Sequence, residues 1–143
     1  ISDIESFLGY GNTNEAVLIG AGKLGRALLG YSGFAEYGLN IVAAFDANDA
    51  IIGMSKSGKP IMHMSRLNEI CRRNKVQIGI ITVPAEDAQH VCDLLIECGI
   101  RAIWNFAPKH LDVPPDILVH NENMAASLAL LSKHLSYKIK NEE

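Results

Sequence analysis

The period of the apolar positions changes repeatedly along the chain, and each change marks an element. Ala16-Val17-Leu18-Ile19 is a short apolar run closed by Gly20, as expected of a strand buried on both faces. From Leu24 the spacing lengthens, and Leu24, Ala27, Leu28 and Tyr31 share one helical face. Upstream, Ile4, Phe7 and Leu8 predict a short lead-in helix that stops at Gly9 and Gly11. Residues 41–45 form the next strand, ending at Asp46, and residues 49–59 read as irregular and exposed. A short strand over 60–63 is followed by a helix capped by Ser65 and running to about Arg73, with Leu67, Ile70 and Cys71 inward.

Residues 76–83 are β-prone and almost free of charge, as a central parallel strand should be. Pro84 stands at the first position of the helix that follows. That helix turns Ala88, Val91, Cys92, Leu95 and Ile96 inward and ends at Gly99. Strands over 102–106 and 117–119 follow, separated by Pro108, Pro114 and Pro115, and a last helix spans about 122–137. Strand and helix alternate, and the strands are apolar on both faces. The pattern predicts an α/β fold with a doubly wound, mostly parallel Rossmann-like sheet. The expected divisions are a lead-in helix and linker over 1–14, a dinucleotide-binding domain over 15–121, and a C-terminal dimerisation helix with a polar tail over 122–143.

Gly20-Ala21-Gly22-Lys23-Leu24-Gly25 is a G-x-G-x-x-G turn lying between a strand and a helix, the context in which it binds a pyrophosphate. Gly20 permits the tight turn, Gly22 lets backbone approach the anion, and Gly25 allows close helix packing. Lys23 and Leu24 belong to the same turn, whose free amides face the phosphates. Asp46 ends the second strand 21 residues after Gly25, where a carboxylate accepts hydrogen bonds from a ribose diol and repels a 2′-phosphate. NAD is therefore expected over NADP. Thr82, Val83 and Pro84, Asn105 and Phe106, and Asn121 lie at the carboxyl ends of other strands, where they are candidates to line the nicotinamide half. For Thr82 helix capping is an equal alternative, and for Phe106 a place in the core.

The chain has 143 residues, enough for one domain with one core. Its net charge of -3 and the lack of a basic stripe argue against nucleic-acid binding by this chain itself. No apolar run reaches membrane-spanning length and no signal-peptide layout is present, so no membrane partner and a cytoplasmic location are expected. Cys71, Cys92 and Cys98 have no metal-ligand or redox spacing and read as buried or half-buried thiols. His63, His90, His110, His120 and His134 form no recognisable catalytic pairing, and no metal cluster is predicted. His63 lies near a strand end, where a structural or ligand-contact role is expected. Nearly all residues are spent on sheet and helices, which fits a sensing or binding domain better than a complete enzyme. On the last helix, Met124, Leu128, Leu131 and Leu135, widened by Ala125, Ala129 and Leu130, form an apolar stripe that packs on its own sheet or on a second subunit.

These residues resemble the Rex family of bacterial redox-sensing transcriptional repressors over nearly the whole chain. The similar stretches are 19–28, Tyr31 to Phe34, 41–46, Ile78 to Ala85 and, most specifically, Ala102-Ile103-Trp104-Asn105-Phe106-Ala107-Pro108. Ser127-Leu128-Ala129 and Leu131-Ser132 match the final helix. The resemblance implies a homodimer whose final helix is exchanged between subunits and whose Rossmann domain senses NADH against NAD. NADH would close the dimer and release operator DNA held by an upstream winged-helix domain absent from this chain. The chain is thus expected to be an excised regulatory domain or a stand-alone homologue. Gly20, Gly22 and Gly25 would take the pyrophosphate and Asp46 the adenosine ribose. Tyr31 and Phe34 match a stretch near the nicotinamide and dimer interface. The sequence departs from the family at Lys23 and at Asn48-Asp49-Ala50-Ile51, where a contact on the adenosine side is expected to be lost, with Lys56 or Lys59 as a substitute. The alternatives are a small NAD-dependent oxidoreductase, or a subunit of one, and a CoA-binding domain.

Overall fold

The computed structural model describes residues 14–55, 58–122, 135, 138 and 139. The lead-in helix expected over 1–14 and most of the last helix lie outside the described residues. Of its expected span Glu122 and Leu135 are described, and only Leu135 is helical; Lys138 and Ile139, expected in the polar tail, are helical as well.

Among the described residues seven strands form one sheet: β1 (Asn14–Ile19), β2 (Leu39–Asp46), β3 (Gly53–Met54), β4 (Pro60–His63), β5 (Ile78–Ile81), β6 (Ala102–Asn105) and β7 (Leu118–Asn121). Three α-helices lie between them: α1 (Lys23–Leu29), α2 (Leu67–Asn74) and α3 (Ala85–Glu97). The strand order is β3-β4-β2-β1-β5-β6-β7, and every pairing is parallel except β3 with β4. The order reverses between β1 and β5, so a crevice opens there at the carboxyl ends of the strands.

Alternation along β1 divides the core in two. Val17 and Ile19 face one cluster with Leu67, Ile70 and Cys71 of α2 and Ala88, Val91, Cys92 and Leu95 of α3. Ala16 and Leu18 face the other, with Leu29 of α1, Phe34 and Trp104. In β2 the alternation breaks: Ala16 pairs with Ile41 but Val17 pairs with Ala43, so Val42 is an extra residue. This bulge moves Ile41 and Ala44 to one face and Ala43 and Phe45 to the other. The two-sided burial predicted for the sheet is therefore present, with both faces covered.

The structure corrects several boundaries. The first helix stops at Leu29, and a 3-10 helix over Ser32–Tyr37 replaces its expected continuation through Tyr31. Gly53–Met54, read as irregular, adds an antiparallel edge strand. Ser65 does not cap α2. Instead the His63 side chain accepts from the Ser65 amide at 3.2 Å and caps a 3-10 turn over Met64–Arg66, after which α2 starts at Leu67. Pro84 is the residue before α3, not the first within it. Among the described residues no helix is long and apolar enough to cross a membrane.

Candidate dinucleotide crevice at the switch point

The chain turns at Gly20 at the end of β1. Gly20 takes φ +100°, which a side chain rarely adopts, and a Cβ there would lie 3.0 Å from both Thr82 and Val83. At Gly25 a Cβ would lie 1.9 Å from the Gly20 carbonyl oxygen, so only glycine lets α1 sit this close to the turn. Gly22 is different. A Cβ there would meet nothing within 4 Å, so its backbone faces open space at the start of α1. The first amides of a helix have no acceptor within it and point toward that space. The three glycines thus divide into two that pack and one that presents bare backbone, as a pyrophosphate cradle requires.

Side chains from the neighbouring strands pin this turn. Thr82, just past β5, donates its hydroxyl to the Gly20 carbonyl at 2.6 Å, with the Ile19 carbonyl at 2.9 Å. Its backbone amide also donates to the Ile19 carbonyl, at 2.9 Å. Thr82 is therefore no helix cap; it fastens the turn across the switch point. Asp46, at the end of β2, accepts the Ala21 amide at 2.8 Å on one oxygen and the Asn48 amide at 2.8 Å on the other. Both bonds hold the carboxylate in place and leave further lone pairs for a sugar diol. The Asn48 side chain accepts from the Ala50 amide at 3.0 Å. The segment that departs from the family pattern builds the turn that orients Asp46.

A crevice of about 820 Å³ opens over these groups. Gly20, Gly22, Asp46, Thr82, Val83 and Pro84 line it, all anticipated from the sequence. Met64, Asp87, His90, Val91 and Leu94 line it too, and sequence reasoning missed them. They come from the turn before α2 and from the flank of α3. Val91 was legible only as a core position, and His90 only as a mid-helix histidine, because periodicity does not show that a helix flank borders a cleft.

The remaining predicted residues fall elsewhere. Gly25 packs beneath the turn, and Lys23 and Leu24 lie on the first turn of α1. His63 is the register partner of Asp46 on β4, and its imidazole is engaged with Ser65. Asn105 is fully buried; its amide donates to the Lys109 carbonyl and to Asn121 Oδ1, both at 3.0 Å, and its oxygen accepts the Ala107 amide at 3.0 Å. Tyr31, Phe34, Trp104 and Phe106 form a continuous aromatic ladder with centroid spacings of 4.8, 5.6 and 5.0 Å. Tyr31, at the outer end, is 56% exposed. Lys59 bonds the Ile41 carbonyl at 2.6 Å, five residues before Asp46 on β2, so it does not serve the adenosine side. Lys56 lies outside the described residues.

Residues 12–109 match a family model described as CoA binding domain. The chain is 42% identical over 137 residues to the redox-sensing transcriptional repressor Rex of Bacteroides fragilis, a match that covers 96% of this chain and 62% of that protein. It spans about three fifths of that relative's length. The fold superposes with TM-score 0.84 on RSP, a Rex-family repressor, in complex with β-NADH, at 33% identity over 99% of this chain and 68% of that one. Against RSP in complex with β-NAD+ and operator DNA the TM-score is 0.82 at 34% identity, over 99% and 67% of the two chains.

Proposed function

Because the chain belongs to the Rex family of redox-sensing transcriptional repressors, we propose that it is an NAD(H)-binding regulatory domain. Its pyrophosphate site is the bare backbone at Gly22, and its ribose acceptor is Asp46. The observation that carries this reading is the 2.8 Å bond from the Ala21 amide to Asp46, which joins the phosphate turn to the sugar acceptor across 25 residues of chain. A carboxylate at that position favours a free 2′-hydroxyl and disfavours a 2′-phosphate.

The domain performs no reaction on the dinucleotide; it reads which form is bound. NADH binding alters dimer geometry and releases operator DNA held by a winged-helix domain, while NAD is compatible with DNA binding. The proposed partners are a second copy of the chain and, through that other domain, DNA. Leu135 and Ile139 support the second copy. They are helical, four residues apart on one face, and 56% and 52% exposed. The proposed location is the cytoplasm, where such a ratio is set.

Calorimetric titration of the chain with NADH, NAD, NADPH and CoA tests the reading. NADH should bind at least tenfold more tightly than NAD, a difference of about 1.4 kcal/mol, and NADPH should bind more weakly than NADH. A preference for CoA would replace this reading with the one that the matched CoA binding domain model favours. Turnover of a small carbonyl substrate would replace it with an oxidoreductase. The Asp46→Ala variant should lose about tenfold in NADH affinity, and an unchanged isotherm would remove Asp46 from the site.

A further inference from the structure

Two paired strands end on the same small device. After β2, the Asn48 side chain accepts from the Ala50 amide at 3.0 Å and opens a 3-10 turn over Asp49–Ile51. After β4, the His63 side chain accepts from the Ser65 amide at 3.2 Å and opens a 3-10 turn over Met64–Arg66. In both, the residue just before the turn bonds the amide two positions on. β2 and β4 are neighbours in the sheet, and Asp46 is the register partner of His63, so the devices stand side by side. Asp46 and Ala47 lead into the first and Met64 opens the second, and all three line the crevice. The Asn48 amide also holds the Asp46 carboxylate at 2.8 Å.

The two differ in one property. An amide oxygen stays an acceptor at every pH near neutrality, whereas an imidazole nitrogen accepts only while it carries no proton. His63 Nδ1 takes the Ser65 amide and lies 3.1 Å from Ser65 Oγ, so the neutral ring holds its proton on Nε2. Nε2 lies 3.9 Å from Asp49 Oδ1 on the neighbouring turn, and the side chain is 44% exposed, so solvent reaches the ring. A second proton goes to Nδ1. The Ser65 hydroxyl can turn to accept it, but the Ser65 amide is left without its acceptor. Among the described residues, the charged groups on the elements beside the ring are Asp49 at 3.9 Å, Asp46 as register partner, and Arg66, which is paired with Glu69 at 3.5 Å. The two aspartates favour the charged ring.

We propose that His63 is a positioning residue for the crevice and that protonation releases its hold. With the ring neutral, Nδ1 fixes the turn and Met64 keeps its place in the crevice wall. With the ring charged, the Ser65 amide loses its cap and the turn loosens. The imidazolium also draws on Asp49 and Asp46, which makes Asp46 a poorer acceptor for a ribose. Both effects weaken binding in acid. His63 does not line the crevice, so it acts through Met64 and Asp46 and not by touching a ligand. His90 does line it, and the test separates the two histidines. The effect on binding rests on the function proposed above; the loss of the cap on protonation does not.

The test takes the whole chain from about pH 8 to about pH 5.5, the range in which imidazoles ordinarily change charge. Without ligand, heteronuclear NMR follows two amides. The protection of Ser65 against solvent exchange should fall in acid, while that of Ala50, capped by Asn48, should hold. With adenosine diphosphate ribose, which has no group that titrates in this range, calorimetry should show binding weaker in acid by roughly threefold to fivefold. The His63→Asn variant supplies the acceptor that already serves at position 48. It should bind as the parent does at the higher pH and lose the pH dependence. The His63→Ala variant has no acceptor and should bind weakly at both. Binding by the parent that ignores pH, a fall that persists in His63→Asn and so belongs to His90 or another group, or a Ser65 amide equally protected throughout would each overturn this role alone. No binding at either pH would overturn the proposed function and this role with it. The Ser65 amide of the unsubstituted chain decides the cap even if a variant fails to fold.

Discussion

The carboxyl ends of β1, β2 and β5 and those of β6 and β7 lie on the same edge of one sheet, but they are built in different ways. At the first, polar side chains fasten backbone and leave open space in front of it. Thr82 and Asp46 both bond the glycine turn, and Gly22, just before α1, lines the crevice. At the second, the polar side chains are spent on one another and on nearby backbone. Asn105 is buried completely, with three hydrogen bonds to Lys109, Asn121 and Ala107. Beside it Glu122 accepts from the Trp104 indole at 3.4 Å and lies 3.0 Å from the His120 ring nitrogen. A site for an anion needs donors held in place but not consumed. By that criterion the turn at Gly20 is the proposed binding half, and the Asn105 network beside it is proposed as scaffold.

The comparison is broken most sharply at Gly25. A methyl group there would sit 1.9 Å from the Gly20 carbonyl, and backbone cannot yield as a flexible side chain can. The Gly25→Ala variant should therefore lose more than about 4 kcal/mol of stability. Urea unfolding followed by circular dichroism measures this. A midpoint near that of the parent would mean that α1 can move away from β1, and the turn would not be the rigid element described. At the other end, Asn105→Ala strips the Ala107 amide of a buried acceptor and the Lys109 carbonyl and Asn121 of a donor. It should cost about 3 kcal/mol in the same experiment. The folded fraction should bind adenosine diphosphate ribose unchanged, because no part of the Asn105 network touches the crevice at Gly22. A parallel loss of affinity would join the two halves into one site.

The same contrast explains what the sequence made legible. The glycine turn stands out because its chemistry requires particular residue types at fixed spacing. Gly20, Gly22 and Gly25 answer to backbone geometry, and Asp46 answers to a strand end in register with them. The buried strands were legible for a similar reason, since uninterrupted apolar runs such as Ile78 to Ile81 have few alternatives. Contacts between side chains far apart in sequence were not legible. Nothing local to Thr82 says that its hydroxyl reaches a carbonyl 62 residues away rather than capping the next helix. Nothing near Asn105 distinguishes a buried network from a ligand contact, and Cys71 and Cys98 border one core cluster only because α2 and α3 cover the same face. The edge strand Gly53–Met54 escaped notice because two exposed residues carry no period. The bulge at Val42 did so because an extra residue inside an apolar strand leaves its composition unchanged.

Thr82 offers the finest discrimination between the two halves, because valine keeps its shape and removes only the hydroxyl. In the Thr82→Val variant the Ile19 carbonyl keeps its bond from the backbone amide at 2.9 Å, while the Gly20 carbonyl loses its 2.6 Å donor. The stability cost should be about 1 kcal/mol, smaller than that of Asn105→Ala because one acceptor, not several groups, is left without a partner. Binding should respond more than the stability loss in the folded state alone would suggest. Gly20 carries the positive φ that aims the turn, so a looser carbonyl there spreads the directions of the amides that follow it. A fall of about threefold to fivefold in NADH affinity is expected, equivalent to about 0.7–1 kcal/mol. Equal stability loss with an unaltered isotherm would show that the amides hold their direction without Thr82. The rigidity of the binding half would then come from Gly25 and Asp46 alone.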